Sequence, residues 1–178
     1  MTRGWLACPV VIALFAGACA AAAQTSGTAP RSFGALRDRV AQVEGSGAQE
    51  IRIHWFVKDP RVAAQAVADS LTVVDRQPVL GAVARERRPE LAPDKLVVVL
   101  LDAGDREVDW RIIPDPRVIR GEFADADGKM NGQQLRRVET DFLVAIPDLP
   151  SITRLALYQP RWTGREFMLD LIGTVDLQ

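Results

Sequence analysis

A near-continuous apolar run, KLVVVLL at 95–101, constrains the fold of this 178-residue chain more than any other feature. The turn residues DAGD follow it, and REVDWRII then alternates apolar with polar residues. An uninterrupted apolar strand is typical of burial on both faces, whereas alternation is typical of burial on one face. The segment therefore predicts a β-hairpin whose first strand lies in the middle of a sheet packed under other structure.

Strand patterns continue on both sides of this hairpin. In EIRIHWFVK, the residues Ile51, Ile53 and Trp55 alternate with others at the period of a half-buried strand, and Pro60 ends the pattern. A strand is predicted at about 71–76, after a stretch that suits a short helix or an irregular crossing. Further strands are predicted in the segments VIRGEF, LRRVETDF, FLVAI, ITRLALY and EFMLDL.

The first residues have the pattern of an export signal. Arg3 gives a positive start, and an uncharged run of apolar and small residues extends from there to Ala23. Residues 1–23 are therefore predicted to be a cleavable signal peptide, since no basic cluster follows to favour a membrane anchor. AAA before Gln24 offers one cleavage site, whereas FAGAC resembles a bacterial lipobox in which Cys19 would be acylated. Soluble export is the favoured expectation, and a lipid anchor is the alternative.

A flexible tether with a possible short helix is predicted over residues 24–48. The tether begins with the small and polar residues QTSGTAP, and Ser32 then stands where a helix would need its N-cap. The apolar face of this helix consists of Phe33, Leu36, Val40 and Val43, which recur at helical spacing.

The residue types that several kinds of catalysis need are scarce. Both cysteines, Cys8 and Cys19, lie within the signal, which excludes an internal disulfide, a thiolate zinc site and a cysteine nucleophile from the mature domain. The single histidine, His54, excludes a multi-histidine metal site, and strand parity predicts that it is exposed without an orienting partner. Cleavage removes Arg3 and changes the formal charge from −1 to −2, a balance that argues against nucleic-acid binding. No cofactor is expected.

Paired carboxylates are the remaining route to catalysis. Asp102, Asp105 and Asp109 follow the apolar run closely, and Asp125 and Asp127 lie in a second acidic loop. Two carboxyl groups that face each other across a cleft would support a secreted hydrolase. Because acidic turns are common, a hydrolase is the alternative expectation and not the leading one.

The acidic loop FADADGKMNGQQ at 123–134 resembles a calcium loop at first sight. The oxygen ligands in that interpretation are Asp125, Asp127 and Asn131. With Gly128 at the sixth position, however, Phe123 and Gln134 stand at the first and twelfth positions, where a calcium loop needs carboxylates. The flanks look like strands, Asp-Gly within the loop is a strong hairpin signal, and the following Asn-Gly offers a second left-handed position. The loop is therefore predicted to be a turn between two strands.

Aromatic side chains offer a different kind of site. Trp55 and Trp110 fall on the core-facing sides of their strands, so both are predicted to pack in the core. Trp162 lies in the turn-rich segment YQPRWTGRE between Arg161 and Arg165, where it can be exposed and contact a ligand together with the two arginines. A carbohydrate-binding module that uses exposed aromatic residues is therefore a further alternative.

The second half of the chain resembles immunoglobulin-like or fibronectin-type sandwiches. WRIIPD and FLVAIPD both lead an apolar strand into Pro-Asp, and the order of buried strand, DAGDREV turn, strand and DFLVAIPDLPSITRLALY is similar to that of accessory domains of secreted bacterial proteins. The resemblance covers roughly 96–177 and implies an architecture without catalytic residues. It implies a mainly β fold, an antiparallel immunoglobulin-like β-sandwich with one or two short helices, over residues 49–178.

These observations lead to one expectation of function. The chain is expected to be an exported, non-catalytic sandwich that binds an envelope or exported protein, whose identity the sequence does not give. Its expected location is the periplasm or the exterior of the cell, with lipid attachment to the outer membrane as the alternative.

Overall fold

The computed structural model describes residues 31–44, 47–58, 69–124 and 126–177. Within these ranges the chain is mainly β, with one short helix. The elements in chain order are β1 (Arg31–Ser32), α1 (Phe33–Arg39), β2 (Ala48–Phe56), β3 (Ser70–Val79), β4 (Lys95–Leu101), β5 (Glu107–Pro114), β6 (Val118–Ala124), β7 (Met130–Arg136), β8 (Glu139–Pro147), β9 (Arg154–Trp162) and β10 (Phe167–Asp176). The predicted signal peptide and the segment 61–68 lie outside the described residues.

Two antiparallel sheets pack face to face. The first sheet has five strands in the order β1-β10-β9-β4-β5, and the second has three in the order β3-β2-β8. A hydrophobic cluster fills the space between them, and side chains from both sheets, such as Ile53, Trp55, Leu100 and Leu157, are fully buried there. The arrangement is consistent with a β-sandwich.

Helix α1 covers the outer face of the five-stranded sheet. Phe33 and Leu36 of the helix pack there with Val40, Trp110 and Tyr158 in a second hydrophobic cluster. Leu36 has no exposed surface, so the helix belongs to the packed body of the molecule and not to a loose tether. We use the name body for the two sheets together with this helix.

The helix begins at its predicted cap and ends earlier than its predicted apolar face. The Ser32 hydroxyl oxygen accepts a hydrogen bond from the Ala35 amide at 3.1 Å, which satisfies one of the free amides of the first turn. Val40 already has extended backbone, with a φ of −119°. Val43 therefore lies beyond the helix, where its amide bonds instead to the Asp109 carboxylate at 3.0 Å.

Strand β4 lies between the two hydrophobic layers, as its sequence predicts. All residues from Leu96 to Leu101 are buried, in alternation toward the second sheet and toward the helix. The predicted hairpin with β5 is confirmed by antiparallel pairing from Lys95 opposite Pro114 to Leu101 opposite Glu107. β3 is longer than the predicted strand at 71–76, because Pro78 is accommodated at the edge of a sheet.

The two sheets approach each other closely along one side, where β3 meets β10. The register of β10 shifts between Leu171 and Gly173, which marks a β-bulge. A side-chain carbon at Gly173 would lie 3.0 Å from the Asp69 carbonyl oxygen and 3.3 Å from a methyl carbon of Leu71. Glycine therefore permits the close contact that joins the two sheets on this side.

Strands β6 and β7 form a separate two-stranded hairpin, which we name the arm (residues 118–136). Within the described chain they pair with each other and with no other strand, from Val118 opposite Arg136 to Ala124 opposite Met130. The arm is an excursion of the chain between β5, an edge strand of the first sheet, and β8, an edge strand of the second.

Candidate functional site

One end of the body carries both the arm and the predicted aromatic site, and we name it the arm end. β4 begins at this end with Lys95, directly opposite Pro114, the last residue of β5. β9 runs antiparallel to β4 and ends here with Trp162. Only three residues separate Pro114 from Val118, the first residue of the arm. Two of the segments that the sequence singles out are thereby brought to the same end of the molecule.

The root of the arm is fixed to the core by one arginine. The Arg117 guanidinium lies 3.9 Å from the centre of the Trp55 ring, a cation–π contact with a fully buried indole. The same guanidinium donates two hydrogen bonds to Asp115, at 3.0 and 2.9 Å, and one to Gln159 at 3.2 Å. Because Asp115 is only 3% exposed, this bidentate ion pair is buried, and it fixes the point at which the arm starts.

The two faces of the arm differ in character. Side chains of a strand alternate between faces and cross-strand partners share one, so Ile119, Gly121, Gln133 and Leu135 lie together. This face carries no charged residue from one end of the ladder to the other. Ile119 and Leu135 are direct partners on it, with 37% and 53% of their surfaces exposed. We name it the neutral face.

The opposite face of the arm is charged. Arg120 and Glu122 of β6 lie there together with Arg136 of β7. Arg120 also donates to the carboxylate of Asp94, in the loop before β4, although 72% of the arginine side chain stays exposed. An isolated two-stranded hairpin is marginally stable in water, so this contact and the root help to hold the arm.

The acidic loop forms the tip of the arm, as a turn between two strands. Gly128 has a φ of +77°, the left-handed conformation that the Asp-Gly signal predicts. The second predicted left-handed position is wrong, because Asn131 and Gly132 lie within β7 in the paired ladder. Asp127 lies in the turn, and Asp125, the other candidate calcium ligand, lies outside the described residues.

Trp162 is exposed at the tip of the hairpin between β9 and β10, as its turn-rich context predicts. It retains 54% of its surface and lies beside its cross-strand partner Phe167, with ring centres 5.0 Å apart. Arg161 donates to Asp170 at 2.7 and 3.2 Å, so its charge is paired with a carboxylate of the neighbouring strand. Arg165 is exposed in the turn. Trp55 and Trp110 are buried, as strand parity predicts.

The candidate carboxylates at the far end of β4 are each bound to an arginine. Asp102 accepts from Arg106 at 2.8 Å, and the amide and side chain of Arg106 lower the pKa of Asp102. Asp105 pairs with Arg154, which also donates to Asp176 at 2.8 Å. A cavity of about 390 Å³ is lined here by Ala103, Thr153, Arg154 and Asp176. An arginine thus stands between its carboxylates, an arrangement typical of a structural ion-pair cluster.

Asp109 is part of a buried network that holds two loops against β5. Arg111 donates to Asp109 at 2.9 Å and also reaches the carbonyls of Val43 at 2.8 Å and Ala84 at 3.0 Å. Burial raises the pKa of Asp109, and the Val43 amide and the Arg111 charge act against that rise. Every donor and acceptor named here is used, which favours a structural role.

His54 has a partner that the sequence does not reveal. Its Nδ1 lies 2.8 Å from the Asp141 carboxylate, and its Nε2 lies 3.5 Å from Glu139, both on the neighbouring strand β8. Thr72 stands opposite His54 on β3. The histidine lies on the outer face of the three-stranded sheet, as strand parity predicts, but it is half-buried with 35% of its side chain exposed, and the expected lack of a partner is wrong.

Comparison with known proteins adds no relative. No protein-family model, no curated protein and no solved structure matches this chain. In the part of the chain that the structure describes, no group of three or more histidine, cysteine or acidic side chains is placed to hold a metal ion. Within the same residues, no helix has the length and hydropathy that a membrane crossing needs.

Proposed function

We propose that this chain is an exported, non-catalytic β-sandwich module that binds an envelope or exported protein through its arm. The observation that carries the proposal is the neutral face, where Ile119 and Leu135 form an exposed apolar pair on a hairpin that, within the described chain, pairs with neither sheet. Contiguous exposed apolar surface is characteristic of interaction sites. The export signal predicted at residues 1–23 supports a partner in the envelope.

The immunoglobulin-like resemblance is a second support, with one departure. The order β10-β9-β4-β5 corresponds to the G-F-C-C′ order of a variable-type immunoglobulin sheet. In the other sheet an immunoglobulin domain places its first strand at the edge and its second in the centre. Here the first strand, β2, is central, and the second, β3, is at the edge. We propose an immunoglobulin-like sandwich in which this first hairpin has exchanged its strand positions.

Deletion of the arm tests the proposed function. Arg137 donates its amide to the Arg117 carbonyl at 2.9 Å, so these residues face each other and a two-residue Asn-Gly turn can replace 118–136. The protein and the deletion variant are immobilised and exposed to bacterial envelope extract. We expect the intact protein to retain a discrete set of proteins about tenfold better than the variant, a difference of about 1.4 kcal/mol in binding.

A pair of point variants separates the neutral face from exposed apolar surface in general. Leu135→Ser alters the arm, and Leu143→Ser alters an equally accessible leucine, 48% exposed, on the outer face of the three-stranded sheet. Retention should fall for the first variant and persist for the second. Equal retention by the deletion variant and the intact protein would contradict the proposal, provided that both unfold at similar temperatures.

A further inference from the structure

Within the described chain, strand β6 pairs with no strand other than β7, so its second edge is open to a further strand. Since the Arg137 amide bonds to the carbonyl of Arg117, the odd-numbered residues of β6 direct their backbone groups toward β7. The amides and carbonyls of Arg120 and Glu122 therefore point to the other side, away from β7. β6 is one of the two edges of the hairpin within the described chain. Such an edge is a template for a further strand.

The sequence of β6, VIRGEFA, is symmetric in character about its central glycine. Two apolar residues stand at each end, a cation precedes Gly121, and an anion follows it. Read in the opposite direction the strand has the same order of apolar and charged positions, with the sign of the charges reversed. A strand of this kind is complementary to an antiparallel copy of itself.

We propose that two copies of this chain associate through antiparallel pairing of β6 with β6, about a twofold axis at Gly121. In this register Arg120 of each copy lies opposite Glu122 of the other, as two cross-strand ion pairs. Residue 119 lies opposite residue 123, so apolar positions also meet. The two arms then form one four-stranded antiparallel sheet in the order β7-β6-β6-β7.

The backbone pattern agrees with this register. The pairs of residue 120 with residue 122 bring together the edge-directed amides and carbonyls, which gives hydrogen-bonded pairs on both sides of the axis. Gly121 then falls at a pair without hydrogen bonds, where Cα atoms approach to about 4.5 Å. Glycine at the axis removes the only side chains that would meet their own copies.

The charges select this register and a second copy as the occupant. A slip of two residues in one direction places Arg120 opposite Arg120, and a slip in the other direction places Glu122 opposite Glu122. Like charges directly opposite are destabilising, so both neighbouring registers are disfavoured. The pairing also sets the neutral faces of the two arms side by side, which doubles the apolar surface on one side of the sheet.

A charge-exchange experiment tests the dimer on purified protein obtained by expression of the full chain. Sedimentation equilibrium measures the dissociation constants of the wild type, Arg120→Glu, Glu122→Arg and the double variant with both substitutions. Each single variant places two like-charge pairs at the axis, and we expect at least about tenfold weaker association. The double variant restores opposite charges at the axis but loses the contact of residue 120 with Asp94, so it should associate at least about threefold more tightly than either single variant without necessarily reaching the wild type.

Mixing the two single variants provides the decisive readout. One carries acids and the other bases on both sides of Gly121, so an equimolar mixture should associate although each variant alone is mainly monomeric. The Glu122→Arg variant leaves the contact between Arg120 and Asp94 intact, which controls for damage to the arm. A wild type that stays monomeric, or a dimer insensitive to the single substitutions, overturns the proposal. The measurement contains no envelope partner, so it is independent of the proposed function.

Discussion

Arginine–carboxylate pairs in this molecule belong to two classes that differ in burial. In the pairs of Asp109 with Arg111 and of Asp115 with Arg117, the carboxylates have no exposed side-chain surface. Breaking such a pair leaves an uncompensated buried charge, at a cost of about 3–5 kcal/mol. Exposed pairs, such as that of Arg161 with a carboxylate of β10, stabilise by at most about 1 kcal/mol. The buried pairs therefore fix the paths of the loops.

The Asp102 carboxylate gives a prediction about pH. Hydrogen bonds from the Arg106 amide and side chain, and from the Gly104 amide, lower its pKa below the ordinary value of 3.8. The pKa is lower in the folded chain than in the unfolded chain, so the ionised Asp102 stabilises the fold at pH values above about 3.8. This contribution is lost as the pH falls through the lowered pKa of the folded chain. We expect Asp102→Asn to destabilise the protein at neutral pH and progressively less in acid.

Urea unfolding followed by tryptophan fluorescence at pH values on both sides of 3.8 measures this difference. Arg106→Ala is the matched control, because it removes the side-chain donor and retains the backbone amide that contributes most to the lowered pKa. The control should keep part of the pH dependence. A free-energy difference between wild type and Asp102→Asn that is the same at all pH values would contradict the assignment.

At the residue scale, the sequence predicts burial better than it predicts partners. Strand parity places Trp55 and Trp110 in the core correctly, since alternation is a local property of one strand. The contact of His54 with Asp141 joins residues 87 positions apart. Such a partner depends on the register between β2 and β8, which no local pattern contains.

Helix α1 is the element whose role the structure changes most. The sequence predicts it as a short helix within a flexible tether, and the structure packs it over the five-stranded sheet. The helix has only seven residues, too few for stability in isolation, so its packed face must stabilise it. We therefore expect the helix to form only when it packs on the sheet.

Substitution of Leu36 measures the coupling between helix and sheet. Leu36 is fully buried, so Leu36→Ala should lower the free energy of unfolding of the whole body by about 2–5 kcal/mol. Arg37→Ala on the exposed side of the same helix should change it by less than about 0.5 kcal/mol. A single cooperative urea transition measures both. Equal and small effects would show that the helix is not needed for the fold.

At the element scale, hairpins are predictable and their surroundings are not. The hairpin of β4 and β5 and the turn at the arm tip follow from nearby residues, because turn chemistry and alternation act over a few positions. That β6 and β7 pair with each other and stand apart from both sheets depends on where β5 and β8 lie. The sequence predicts the two strands of the arm, but it does not indicate that they pair with neither sheet.

The whole molecule depends on close approach of the two sheets at Gly173. Gly173→Ala places a carbon 3.0 Å from the Asp69 carbonyl oxygen, closer than ordinary contact. We expect a loss of about 1–3 kcal/mol in the free energy of unfolding, since β3 and β10 must separate. Gly132→Ala is the matched control, because nothing lies within 4 Å of the added carbon. Thermal and urea unfolding compare the two variants, and an equally stable Gly173→Ala protein would contradict the tight contact.

Strand order is the part of the whole-molecule architecture that the sequence leaves undetermined. The sequence predicts a mainly β fold with a doubly covered central strand, and both features are present. The central position of β2 and the approach of β3 to β10 result from contacts between residues far apart in the chain. Many pairings of the same strands satisfy the same local alternation, so local patterns cannot select among them.

The position of the arm also determines how the molecule would respond to mechanical load. Its two ends continue into β5 and β8, edge strands of opposite sheets, so a pulling partner would apply tension to both sheets at once. The force would enter at the arm end and act to peel the sheets apart from there. The stacking of Arg117 on Trp55 would be among the first contacts to bear that tension. This ion-paired arginine would therefore resist separation of the two sheets under load.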